Sequence, residues 1–165
     1  MINREIQSKI RDDFDSRKAI VLIGARQVGK TTLVEAVAKD AGRVLALNCD
    51  NVDDRMSLEN KTSTELQTLI AGYDLVVIDE AQRVANIGLT IKMMVDLRME
   101  KPQVIVTGSS SLELAEGIYE PATGRCINYE LFPLSVGELV GHTSAREETR
   151  LLNQRLVYGL YPEVV

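Results

Sequence analysis

Two cysteines, four prolines, one histidine and no net positive charge are all that 165 residues offer to several common chemistries. Cys49 and Cys126 fall near the ends of apolar runs and lack the paired spacing of a cysteine metal site, so both read as buried free thiols. The single histidine, His142, lies beside Gly141 in an expected loop and reads as a surface residue. No stretch approaches the roughly 20 consecutive apolar residues that span a bilayer, which excludes a membrane helix. The opening MINREIQSKIRDDF is charged and amphipathic and has no signal-peptide core, so a cytoplasmic location is expected. A net charge of −5 is the reverse of the basic footprint of nucleic-acid binders. Arg146, Arg150 and Arg155, expected on one face of one helix, read as solvated surface; a nucleic-acid partner is possible but not supported by charge. Repeats, low-complexity tracts and long linkers are missing as well.

What is present suits a folded domain: 45% hydrophobic and 26% charged residues, in a length typical of one domain. Helical and strand patterns alternate. Ile2, Ile6, Ile10 and Phe14 recur every four residues and mark an N-terminal helix. Ala19 to Ile23, Val44 to Leu47, Leu75 to Ile78 and Gln103 to Thr107 read as buried strands, and Cys126 to Leu131 as a fifth. Between them a helix carries Leu33, Val34, Val37, Ala38 and Ala41, with Gly42 as its C-terminal cap. Thr62-Ser63-Thr64-Glu65 is a capping box opening a helix that ends near Gly72. Ile87, Ile91, Met94, Val95 and Arg98 trace another, stopped before Pro102. Met93, Met94 and Met99 fall in that region and read as core filling. Ser144 and Glu147 cap a last helix bearing Leu151, Leu152 and Leu156. The fold expected is α/β: a three-layer sandwich around a five-stranded parallel sheet.

Gly24-Ala25-Arg26-Gln27-Val28-Gly29-Lys30-Thr31 matches G-x-x-x-x-G-K-[ST] in full, and it lies between an apolar strand and an amphipathic helix. The glycines let backbone amides close around phosphate oxygens at the positive end of the helix. Lys30, expected to be exposed at the cradle, supplies charge to the β- and γ-phosphates, and the Thr31 hydroxyl is a magnesium ligand. Downstream, Leu75-Val76-Val77-Ile78 ends in Asp79-Glu80, at the carboxyl end of a strand where open α/β sheets bind ligands. Asp79 is expected to hold magnesium through the metal's waters, and Glu80 to act as general base on the attacking water. The polar tip Thr107-Gly108-Ser109-Ser110 follows another buried strand. Ser109 is the candidate to approach the γ-phosphate, against the plainer reading that Ser110 or Ser111 caps a helix over Leu112 to Ala115. Asn60-Lys61-Thr62-Ser63 lacks the acid that would read guanine, because Ser63 stands in its place.

With these segments, Thr32, Ala81-Gln82, Gly124-Arg125, Leu131-Phe132-Pro133-Leu134-Ser135 and Tyr158-Gly159-Leu160-Tyr161-Pro162-Glu163, the chain resembles the P-loop ATPase domain of a bacterial and archaeal group within the extended AAA+ superfamily. The resemblance runs from about Ala19 to the end. It implies ATP, adenine rather than guanine nucleotide, with Mg2+, and adds Thr32 to the nucleotide contacts. It also implies an arginine finger or sensor role for Arg125, which the surroundings in sequence would leave as a surface arginine. Full-length members of that group continue into a nuclease-like C-terminal domain, so residues 1–165 are expected to be the N-terminal ATPase part of a longer protein.

The expectation is therefore an ATPase with catalytic Glu80, Lys30 and Arg125, nucleotide contacts at Gly24 to Thr32 and Ser109, and metal ligands Thr31 and Asp79. The C-terminal domain and a homo-oligomer are its expected partners. The alternative is a switch that holds nucleotide and hardly hydrolyses it.

Overall fold

A computed structural model describes residues 2–97, 102–109 and 122–165 of the chain. Five parallel strands, β1 (Ala19–Gly24), β2 (Val44–Asn48), β3 (Leu75–Asp79), β4 (Gln103–Gly108) and β5 (Cys126–Leu131), form one sheet in the order β2-β3-β4-β1-β5. The expected architecture is the observed one. Strand side chains alternate between faces, and the core divides accordingly. Ala19, Val21, Ile23, Val76, Ile78 and Val106 face one way, under α3 (Val52–Leu58), α4 (Ser63–Ile70) and α5 (Ile87–Asp96). Ile20, Leu22, Leu75, Val77 and Ile105 face the other, under α1 (Ile6–Asp12) and α2 (Lys30–Ala38). Ile20, Leu22, Leu75 and Ile78 are 0% exposed. Burial of such a side chain contributes roughly 1.5–3 kcal/mol, which is why the three central strands anchor the loops at their carboxyl ends.

Five buried strands were expected; three are. β2 and β5 are the sheet edges, with Val44, Leu45 and Ala46 at least partly exposed and Asn128 and Glu130 exposed. An edge strand lacks a neighbour on one side, and an apolar run does not reveal that. Gly24, where β1 meets β5, has no room for a side chain: a Cβ there would lie 2.5 Å from the Leu131 carbonyl oxygen.

The helices depart from expectation mostly at their ends. The first begins at Ile6 rather than Ile2 and passes at Phe14–Ser16 into a 3-10 turn. α2 ends at Ala38 with Lys39 as its cap, so Gly42 is not the C-cap. Instead Gly42 takes φ +75° beside the Asp74 carboxylate, which accepts the Arg43 amide at 2.9 Å. The Thr62–Glu65 capping box is present, and its helix ends at Ile70, before Gly72.

Two helices were not foreseen. In α3, Asn51 caps the start by accepting from Asp53 N at 2.9 Å. In α6 (Val136–His142), Ser135 and Glu138 form a second capping box, and His142 is an exposed helix end rather than a loop residue. The expected last helix is broken at Leu151 into α7 (Ala145–Arg150) and α8 (Leu152–Tyr158). Leu152 and Leu156 are exposed, not core. Nor do the three arginines share a face. Arg155 turns in to the buried Glu148 at 3.0 Å and Arg150 pairs with Glu147. Cys49 is buried and Cys126 half-buried, both free thiols, and burial pushes them up to about 12 and about 11. Met94 is core and Met93 packs against it. Arg98, Met99 and the expected helix over Leu112 to Ala115 lie outside the described residues. Among the described residues, no helix is long and apolar enough to cross a membrane.

Candidate active site

β1 ends at Gly24 and the chain turns through Ala25 to Gly29 into α2. The turn uses backbone that L-residues avoid: Gln27 has φ +62° and Gly29, the residue capping α2, has φ +96°. Such conformations cost about 1–3 kcal/mol for a non-glycine residue and persist where surroundings enforce them. Gly29 makes no side-chain cap, so the first amides of α2 are left for an anion, where the helix dipole also favours negative charge.

Lys30, expected to be exposed, is 6% exposed. Its Nζ donates to the Gly24 and Ala25 carbonyls, both at 2.9 Å. Burial lowers its pKa, against the attraction of Glu80 and Asp79. The ammonium thus rests against carbonyls of the loop itself, within its own cradle. Arg26 and Gln27 are exposed on the rim.

Asp79 closes β3. One carboxylate oxygen accepts from the Thr107 hydroxyl and from Glu80 N (3.1 Å), and the other from the Thr31 hydroxyl at 3.4 Å. Thr31 from α2, Asp79 from β3 and Thr107 from β4 therefore meet, although 48 and 28 residues of chain separate the two hydroxyls from the carboxylate. A hydroxyl beside a carboxylate is the hard oxygen donor set that magnesium takes, so these residues fit the metal that the resemblance implies.

Glu80 sits in the left-handed region at φ +53°. Its Oε2 accepts from Gln82 Nε2 and from the Ser109 hydroxyl at 3.1 Å, and Gln82 also donates to Ser109 at 3.0 Å. Both of these donors meet Oε2, and Glu80 lines the pocket described next. Gln82 Oε1 is buried without a partner among the described residues.

Lys30, Thr31 and Glu80 open onto a polar pocket of about 700 Å³, which Arg26, Gln27 and Asp50 also line, with Gly29, Thr32, Pro162 and Glu163 at its wall; Asp79 and Thr107 line, with Thr31, a separate pocket. A smaller, mainly apolar pocket of about 260 Å³ adjoins the polar one. The two share Gly29, Thr32 and Pro162, and the smaller one adds Ile2, Leu33, Ala36 and Leu134. Thr32 is thus at the junction.

Arg125 is not brought to this site. It precedes the amino end of β5, where its carbonyl accepts Ala19 N at 2.9 Å and its side chain donates to Asp96 at 2.6 Å. The strand beside it runs six residues to the phosphate loop, about 20 Å at ~3.3 Å per residue. In this structure the Arg125 side chain therefore stays at the opposite end of β1 from its own chain's phosphate loop.

A family model described as an AAA domain matches residues 16–140, which carry the phosphate loop, Asp79 and Glu80, and the tip of β4. The chain belongs to this AAA domain family. It is 29% identical over 142 residues to two uncharacterised mycobacterial proteins, Rv2008c of Mycobacterium tuberculosis and Mb2031c of Mycobacterium bovis. The match takes in 86% of this chain but 31% of each relative, so the chain spans less than a third of their length. Among solved structures, the Walker-type ATPase PabY2304 of Pyrococcus abyssi superposes with a TM-score of 0.60 at 17% identity, covering 93% of this chain and 59% of that one. The RuvB Holliday junction branch migration motor of Thermotoga maritima does so with 0.53 at 16%, covering 92% and 52%. At those identities the likeness is one of fold, that of P-loop ATPases.

Sequence reasoning gave no role to several residues of this AAA domain's site. Thr107 was legible as a hydroxyl ending an apolar strand, two residues before the one chosen. Gln82 stood in a quoted segment without a role. Pro162 and Glu163 entered only as part of a segment carrying the resemblance, without a role, since only the return of the C-terminal segment brings them to the phosphate loop.

Proposed function

We propose that this domain binds ATP with magnesium and hydrolyses it by in-line attack of water on the γ-phosphate, coupling nucleotide state to a C-terminal domain or partner. The observation that carries the reading is the convergence of Lys30, Thr31, Asp79, Thr107, Glu80 and Ser109, from three separate segments, at one end of the central strands. The phosphate loop from Gly24 to Thr32 takes the phosphates. Lys30 leaves its two carbonyls to meet β- and γ-oxygens, a strong charge-assisted pairing. Thr31 and Asp79 hold the metal, which when bound neutralises charge on the phosphates. Glu80 offers Oε1 to the attacking water and takes its proton. Ser109, already bonded to Glu80, reports the γ-phosphate to the base. The adjoining apolar pocket accommodates adenine, with Leu134 and Pro162 against the ring.

Arg125, remote from its own site, acts on a neighbouring subunit in a homo-oligomer, and a cytoplasmic location suits the whole. A nucleotide-holding switch with little hydrolysis is the second reading, because two donors already occupy Glu80 Oε2. Release of phosphate from ATP by the purified domain, measured with and without magnesium, tests the proposal. Magnesium-dependent turnover supports hydrolysis, binding without turnover supports the switch, and no binding overturns both.

A further inference from the structure

Arg4 lies in the segment before α1, far along the chain from every motif, yet its guanidinium is nearly buried, 9% exposed. It distributes its donors over three separate segments. Nε donates to Glu138 Oε1 at 3.0 Å, Nη1 to the Val28 carbonyl at 3.0 Å and Nη2 to the Phe132 carbonyl at 2.6 Å. Glu138, 6% exposed, is held in turn by the amides of Glu5 at 2.9 Å and Ser135 at 2.8 Å. Burial pushes its carboxyl up, but those two amides and Arg4 outweigh it, and the group stays below the usual carboxylate range. The pair is therefore a fixed charged clamp. A surface arginine of the kind that contributes little would not show three bonded donor nitrogens and this burial.

What the clamp grips matters. Val28 stands between Gln27 and Gly29, the two residues of the phosphate loop with positive φ. A peptide unit is planar and its C=O and N–H point in opposite directions. Holding the Val28 carbonyl outward therefore turns the Gly29 N–H inward, to the side where the loop takes a phosphate. Gly29 has no side chain to fix this peptide by packing, and a Cβ there would lie 3.5 Å from Arg4 Nη1. We infer that Arg4, oriented by Glu138, is a positioning residue that pre-organises the phosphate loop for polyphosphate by fixing the Val28–Gly29 peptide from behind. The inference rests on the nucleotide reading above and deepens it. A loop already ordered spares the ligand the cost of ordering it, so the effect falls on affinity first.

Arg4 also borders the apolar pocket, so the test separates a role at the loop from contact with a base. Calorimetry on the parent, Arg4→Lys and Arg4→Ala is run with magnesium and either ADP or inorganic tripolyphosphate, which has no base. Lysine keeps the charge for Glu138 but cannot reach Val28, Phe132 and Glu138 together. Both variants are expected to bind both ligands about tenfold or more weakly, about 1.4 kcal/mol per tenfold, with KM for ATP rising more than kcat falls. In amide NMR of the ADP complex, the Gly29 resonance should lose its nucleotide-induced shift in Arg4→Lys while resonances of the β-sheet stay put. If Arg4→Ala fails to fold, Arg4→Lys carries the test. Folded variants with parental affinity overturn the inference, as does a loss confined to ADP, which would make Arg4 a base contact. A parent that binds neither ligand overturns the nucleotide reading itself, and the inference with it.

Discussion

The two ends of the sheet both carry an arginine bonded to a carboxylate, and the two pairs could hardly differ more. At the carboxyl end Arg4 and Glu138 are 9% and 6% exposed and each has further partners that fix it; at the amino end Arg125 and Asp96 are 35% and 46% exposed. Around the first pair lie the left-handed residues Gln27, Gly29 and Glu80 and a continuous network from Thr31 to Ser109. Around the second are the half-buried start of β5 and its turn at Gly124, φ +76°. Desolvated and multiply bonded groups hold one geometry, whereas exposed pairs are screened and mobile. Pre-organised chemistry belongs at the first end.

Four changes break or sharpen that contrast. Glu80→Gln removes the proton acceptor while keeping shape, and turnover should fall about 10²–10⁴-fold with ATP affinity little changed; phosphate release and calorimetry on one preparation check both. Parental turnover would remove Glu80 as the base. Next, Lys30→Ala deletes a charged donor worth about 1.5–3 kcal/mol per bond, so Mg-ATP affinity should drop about 10- to 100-fold while circular dichroism stays native.

Third, Glu138→Gln tests the clamp through pH. The folded pKa of Glu138 lies below its ordinary value of 4.5. Its charged form therefore stabilises the fold above that value, and the contribution is lost as pH falls through the folded pKa. Parent and variant should melt far apart at neutral pH and converge below pH 4.5; a constant gap would show that charge is not what Glu138 contributes.

The smallest effect in the isolated domain belongs to Arg125→Ala. Its melting temperature should match the parent's. Turnover per parent subunit should rise with protein concentration, that of Arg125→Ala should not, and a mixture of Arg125→Ala with Glu80→Gln should regain part of the activity. If the variant tracks the parent at every concentration, the amino end takes no part even between subunits.

The amino-acid sequence by itself determined the strands, the phosphate loop and the acidic strand end, because each is a local pattern: an apolar run of strand length, glycines at set spacing, carboxylates beside such a run. It also contained the Ser135-x-x-Glu138 capping box, a local pattern of the same kind. Tertiary structure alone decided the rest. That β2 and β5 are edges depends on strand order, which no strand's own residues specify. That Leu152 and Leu156 are exposed depends on what lies over α8, and that Lys30 folds back onto Gly24 and Ala25 depends on the curvature of the closed loop. The grip of Arg4 on Val28 joins segments 24 residues apart, and its pairing with Glu138 joins segments 134 apart. A side chain's partner across such a distance is chosen by how the layers stack, so charge, burial and hydrogen-bond geometry at the site became visible only once the sheet had placed them together.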